Sequence, residues 1–472
     1  MTPSLTHFPT APASLSLAAP RRAADPARRL KQGIWAYFLL LLFEGALRKW
    51  VLPGLASPLL IIRDPLALWL ILATWRQGLL PANIYLTGMT VVGVVAFFTA
   101  LLFGHGSVPV AVYGARILLL HFPLIFVIGR VFDRSDVERI GRAMLWIALP
   151  MTLLIGLQFY SPQSAWVNRG VGGDTEGAGF SGAMGFFRPP ATFSFTNGTT
   201  EFYSLLACFV FYFWLNSGRA HRLALIGASL GMLAAIPFSI SRGLLFQIII
   251  SLLFALFAAA RRPAYLARIV PALVVGLLAL IPLSQTEVLK TPLEAFTSRI
   301  ESANEFEGGV KGTLGDRYLG GMVGALTGSG SAREPFFGYG IGMGTNVGSS
   351  LLSRSGDRGF LIAEEEWART IGELGMVLGL TVIFLRLGLM TKIALGAYRQ
   401  LDQGQFLAWI LVSFGLLTLA QGQWAQPTAL GFSVLLGGLM VAAQRPPRPE
   451  PTVASPATLP GTAAAAGAPS LR

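Results

Sequence analysis

Apolar residues recur in runs of about twenty from Ile34 to Ala443, broken by polar, Gly- and Pro-rich connections. Runs of this length match about 30 Å of hydrocarbon when wound as α-helix. The two-residue alternation of a membrane β-barrel strand is absent. The pattern predicts an all-α, polytopic membrane protein of about 12 transmembrane helices. Their expected limits are 33–50, 58–76, 82–103, 108–130, 140–160, 198–216, 222–240, 243–260, 265–284, 370–390, 404–421 and 427–443. Residues 1–32 and 444–472 are low in complexity, rich in Pro and Ala, and read as disordered tails. No apolar run precedes the basic stretch "PRRAADPARRLKQ", so it does not read as a signal peptide.

Charge orients the chain. It carries a net charge of +13 with only 12% charged residues. The basic residues gather in alternate loops, around Arg28 and Arg29, Arg130 to Arg142, Arg219 and Arg222, Arg261 and Arg262, Arg399, and Arg445. Such loops face the cytoplasm, so both termini are expected there. No nucleic-acid signature accompanies the positive charge. Two larger segments, 161–197 and 285–369, fall on the opposite, non-cytoplasmic side, the second as a large loop. Its stretches "TPLEAFTSRIESANEF" and "DRYLGGMVGALTG" read as amphipathic helices lying at the membrane face. The four histidines are scattered, and no metal-ligand spacing occurs. Cys208, the one cysteine, falls in an apolar span and reads as a small packing residue.

Several charges break the pattern. Arg242 lies in "IPFSISRGLLFQIIISLLFALF", flanked only by small and apolar residues. A cation at the bilayer centre costs about 3 kcal/mol on insertion scales. Arg188, Arg116, Glu44, Arg48 and Lys49 also sit on the non-cytoplasmic side or within a span, and Arg63 is expected to pair with its neighbour Asp64. Guanidinium gives bidentate hydrogen bonds to phosphate oxygens and stays charged at any relevant pH. Outward arginines at a membrane boundary therefore suit a lipid pyrophosphate. Trp166, Trp367 and Trp424 fall at expected boundaries, where indoles anchor.

Four segments appear in order: "RPPATFSFTNGTTEF", "SISRGLLFQ", "DRYLGGMVGAL" followed by "PFFGYGIGMGTN", and "EEEWARTIGELGMVLG". Together they resemble the O-antigen ligase and polymerase superfamily. These are bacterial inner-membrane enzymes that handle glycans on undecaprenyl pyrophosphate at the periplasmic face. The resemblance covers most of Ile140 to Met390. It implies a GT-C-like glycosyltransferase architecture with no cofactor. Its partners would be the bilayer, an undecaprenyl-pyrophosphate-linked oligosaccharide, a chain-length regulator and a flippase, with no nucleic acid. On matching positions, Arg188 and Arg242 take the place of the pyrophosphate-facing arginines. Asn197, Arg169, Arg317, Glu373 and Trp367 fall to substrate binding, Trp367 by stacking on sugar. Gly338, Gly340 and Gly342 form the loop turn.

One departure from the family matters. Its ligases carry a histidine before the Glu-x-Gly helix, where this chain has Glu364, Glu365 and Glu366. That favours a polymerase of O-antigen or exopolysaccharide repeat units, with Glu365 or Glu366 as general base and metal-independent, inverting transfer. A ligase acting on a lipid A core remains the alternative within the family. A transporter or flippase of lipid-linked saccharide is the alternative of another class, opposed by uneven loops and the lack of repeat symmetry.

Overall fold

The computed structural model describes residues 26–261, 265–267, 285–306, 324, 335–352, 362–363 and 365–447. The expected tails lie almost wholly outside these residues, as do most of the expected ninth span, Arg317, Glu364 and nearly all of "DRYLGGMVGALTG".

The chain is mostly helical. Helix α1 (Pro26–Ala46) continues through a π-turn at Leu47–Val51 to a short α2 (Ala56–Leu59). Then come α3 (Arg63–Arg76), α4 (Ile84–Leu102) and α5 (Val108–Arg116), which passes through a second π-turn into α6 (Phe122–Val131). After α7 (Arg134–Tyr160) a hairpin forms from β1 (Phe180–Ala183) and β2 (Phe186–Arg188). Helices α8 (Thr196–Leu215), α9 (Arg222–Ser239) and α10 (Arg242–Ala260) follow. The remainder is α11 (Glu287–Phe306), α12 (Asn346–Leu352), α13 (Glu366–Leu401), α14 (Leu407–Thr418) and α15 (Pro427–Ala443).

Eight of the described helical stretches are long and apolar enough to cross a membrane. The protein is a multi-pass membrane protein. Helices α3 and α4 turn Leu68, Trp69, Val91, Val94 and Phe98 outward, as a lipid-facing surface requires. Helix α8 is different. Nearly every side chain from Phe202 to Leu215 is buried, and α7, α9, α10, α14 and α15 pack around it. An element apolar on all faces becomes the centre of the bundle.

The two ends of the bundle differ in chemistry. At one, Lys31 pairs with Asp136 at 2.6 Å, Arg134 donates to the Ala443 carbonyl, and Arg261 pairs with Asp402 at 2.9 Å. This basic end gathers the starts of α1, α7 and α9. The Lys31 pair also explains why α1 begins at Pro26, ahead of the expected span at 33. At the opposite, loop end lie the starts of α8, α10, α13 and α15, the hairpin, and α11.

Candidate functional site

Arg188 ends β2, and the chain then threads inward past α1. Gln158 grips this segment from α7: its Oε1 accepts from the Ala191 amide at 2.8 Å, and its Nε2 donates to the Ala191 carbonyl at 3.2 Å. Lys49 Nζ donates to the same carbonyl at 2.6 Å, and Thr192 Oγ1 donates to the Leu42 carbonyl at 2.6 Å. Gly45 lets this backbone lie directly on α1, because a Cβ there would strike residues 192–194. Lys49 and Arg48, which donates to Ser194 Oγ, therefore position the Arg188 segment rather than reach the headgroups.

The first turn of α8 fixes the two arginines relative to each other. Thr199 Oγ1 donates to the carbonyl of Pro189, the residue after Arg188, at 3.0 Å. Thr200 Oγ1 lies 3.2 Å from the hydroxyl of Ser241, the residue before Arg242. Ser241 in turn caps α10, accepting from the Leu244 amide. Gly182 in β1 closes the contact, since a Cβ there would lie 2.6 Å from Ile240 Cδ1 and 3.4 Å from Arg188 Cγ. Arg242 thus occupies the first position of a helix, where the macrodipole disfavours a cation. Arg299 joins them from α11, which packs on α9 and β1 along the stripe of Leu289, Ala295 and Phe296. Burial, then the neighbouring Arg299 and Arg242 guanidiniums, push the Arg188 guanidinium below its ordinary range. Its Nε is buried without a hydrogen-bond partner among the described residues.

The guanidiniums of Arg188, Arg242 and Arg299, from β2, α10 and α11, are therefore brought near one another at the loop end. Asn197 stands at the same end, its amide donating to Gln426 Oε1 at 2.6 Å. Arg169 follows the turn of Trp166 to Asn168, and its Nε is likewise buried without a partner among the described residues. Sequence reasoning did not single out Arg299. The signal was present in the amphipathic pattern of α11, where it continues the buried stripe rather than the solvated one.

The C-terminal residues form a separate, interlocked unit. Helix α13 breaks at Gly375 (φ 76°), which frees the carbonyls of Gly372 and Glu373. The Tyr339 and Gly340 amides take them at 2.8 and 2.9 Å. Gly342 packs on Gly114 of α5, backbone to backbone. The glycines of "GYGIGMG" thus dock the loop between α5 and α13. Glu373 locks it, accepting from the Gly344 amide at 2.8 Å and pairing with Arg369 at 2.7 Å.

Glu366 is buried, and four donors occupy its two oxygens: Arg369 Nε and Nη2, Arg386 Nη1 at 2.6 Å, and the Trp424 amide at 3.1 Å. No lone pair is left for a sugar hydroxyl, so the geometry makes Glu366 a clamp. Glu365, its neighbour, is exposed. Trp367 is buried, with Nε1 donating to the Ala420 carbonyl, and Trp424 is buried under the Arg386 guanidinium at 3.8 Å. Neither indole is an interfacial anchor, and Trp367 has no face open to a sugar. Trp166 is exposed and stacks on Trp50.

The charges near α1 also differ from expectation. Arg63 does not pair with Asp64. It reaches Glu44 at 3.0 Å and the Pro427 carbonyl, while Asp64 takes Arg116 at 2.7 Å and His121 at 2.9 Å. Successive helical residues point about 100° apart, so sequence neighbours face different helices. Cys208 packs as expected, its thiol near Ser204, Ser251 and Ser413.

No protein-family model matches the chain, and no curated protein matches it.

Proposed function

We propose that the protein polymerises undecaprenyl-pyrophosphate-linked glycan repeat units at the periplasmic face of the bacterial inner membrane. The loop end would face the periplasm and both termini the cytoplasm, with twelve spans in all. The observation that carries the proposal is the tie of Arg188 and Arg242 to one turn of α8, through Thr199 and Thr200. Both arginines were singled out by resemblance to pyrophosphate-facing positions, and they lie 54 positions apart in the sequence (242 − 188).

In the proposed reaction, a hydroxyl of one lipid-linked glycan attacks the anomeric carbon of another. The bond from that carbon to the pyrophosphate oxygen breaks, and its electron pair leaves with undecaprenyl pyrophosphate. Guanidiniums already in place stabilise the charge that develops on the leaving group, which is where preorganised donors act most strongly. Displacement from the opposite face inverts the anomeric centre.

The test is turnover by the purified protein. With lipid-linked saccharide as sole substrate and a chelator present, products should form a ladder spaced by one repeat unit. Arg242→Ala should abolish the ladder. A requirement for a lipid A acceptor would replace the reading with ligation. Movement of the saccharide between leaflets without a new glycosidic bond would replace it with transport.

A further inference from the structure

The reaction needs a base for the attacking hydroxyl, and the carboxylates of "AEEEW" supply a poor one. Glu366 is saturated by four donors, and Glu365 is exposed at the start of α13. A different carboxylate lies next to that surface. Resting on the function proposed above, we infer that Glu201 is the general base and that Asn197 and Glu201 together receive the acceptor sugar.

Three observations carry this. The first is position. Glu201 directly follows Thr199 and Thr200, the two hydroxyls that hold the Arg188 and Arg242 segments. It lies in the second turn of α8, at the loop end.

The second is unmet hydrogen bonding. Glu201 Oε2 is buried, and no donor among the described residues reaches it. A buried carboxylate oxygen without a donor is costly, and functional sites are where such groups are retained. Asn197, four residues earlier on the same helical face, repeats the pattern: its amide nitrogen is held by Gln426, but its Oδ1 is buried and without a donor. Gln247 Oε1 on α10, the helix that Arg242 opens, is a third such acceptor. Acceptors without donors match a ligand rich in hydroxyls.

The third is access. Along the first turns of α8, Asn197, Thr200 and Glu201 keep partial exposure, while Gly198, Thr199, Phe202 and Tyr203 are buried. Arg242 is half-buried beside them. The partly exposed face of α8 therefore carries both residues, with the two acceptor oxygens themselves turned inward and covered.

The proton balance is simple. The acceptor hydroxyl gives its proton to the Glu201 carboxylate as its oxygen bonds to the anomeric carbon. The pyrophosphate departs with the electron pair of the broken bond, beside Arg188 and Arg242. The carboxyl returns the proton to solvent after the product leaves.

The experiment uses the full-length protein in detergent, undecaprenyl-pyrophosphate-linked saccharide extracted from the membranes of the producing cells, and undecaprenyl pyrophosphate as the binding probe. Removing a general base costs about 10²- to 10⁴-fold in turnover. Glu201→Gln should therefore lose at least about a hundredfold in ladder formation while binding undecaprenyl pyrophosphate within about threefold of wild type. Azide attacks without giving up a proton, so Glu201→Ala supplied with azide should release a glycosyl azide, which a residue of purely structural role would not allow.

Turnover by Glu201→Gln near the wild-type rate overturns the inference. So does loss of undecaprenyl pyrophosphate binding in both variants, or an Ala variant that binds but gives no azide product. Failure of the wild type to form glycosidic bonds would instead remove the proposed function itself.

Discussion

Glu373 holds Gly344 with one carboxylate oxygen and Arg369 with the other, at 2.8 and 2.7 Å. Its backbone carbonyl accepts from Gly340 as well. One residue thus fastens the loop to α13 twice, and Arg369 on the same helix holds its carboxylate in place. Glu373→Ala removes two of these bonds and leaves Arg369 short of a partner in a buried site. A broken buried pair costs about 3–5 kcal/mol. The expected outcome is a lowered melting temperature in detergent and protease cleavage near Tyr339.

The clamp at Glu366 makes a sharper contrast. Glu366→Gln would strip the charge that Arg369 and Arg386 share, so a destabilisation of about 3–5 kcal/mol is expected. Glu365→Gln, at an exposed site, should stay within about 0.5 kcal/mol of wild type. Thermal or denaturant unfolding of the two variants decides between a clamp and a base at position 366.

Gly375→Ala tests the helix break directly. The φ of 76° is strained for any residue with a side chain, and a Cβ would strike the Phe336 carbonyl. The variant should close the break into regular helix and expel the loop. Faster hydrogen exchange at Tyr339 and Gly340 would report it; unchanged protection there would refute the docking.

Charge chemistry at the arginine cluster has its own signature. Arg242→Lys keeps the charge but loses the planar fork, so it should be severely impaired in turnover. Arg299→Ala removes one charged donor, worth about 1.5–3 kcal/mol, and should weaken undecaprenyl pyrophosphate binding at least about tenfold. Titration calorimetry with the two variants separates geometry from charge. An Arg299→Ala variant that binds like wild type would remove α11 from the site.

Orientation is open to labelling. Cys208 is buried, so the native chain offers a quiet background. Cysteines at Glu176, in the exposed loop before the hairpin, should react with an impermeant reagent from the periplasmic side. Those at Gly218, in the basic-end turn between α8 and α9, should not.

Eight of the expected spans coincide with described helices long and apolar enough to cross, because hydrocarbon thickness sets a minimum length for a crossing. Helix α8 kept its apolar pattern despite Asn197, Thr199, Thr200 and Glu201 at its start, yet its central place was hidden, since nothing in a run of Phe, Leu and Tyr says which face meets lipid. Pairings were hidden for a geometric reason. Arg63 and Asp64 are adjacent, but the helix turns them toward Glu44 and Arg116. Trp367 and Trp424 stood where anchors stand, and only tertiary packing shows them under Ala420 and Arg386. Arg188 and Arg242 were visible as charges out of place. Arg299 was marked only by its register with the buried stripe of α11, a weak signal because an amphipathic surface helix is expected to carry charge.

The ion pairs near α1 bear on how the chain enters the membrane. Glu44 meets Arg48 one turn further along the chain at 3.5 Å, and Arg63 joins it at the start of α3. Asp64 then waits for Arg116 at the end of α5. Each unpaired charge costs about 3 kcal/mol at the bilayer centre. Insertion in chain order would hand Asp64 its guanidinium two crossings later, so the second to fourth crossings are expected to leave the translocon as a group. Stalled nascent chains ending before Val108 should remain held at the translocon, while chains that include α5 and α6 should be released into lipid.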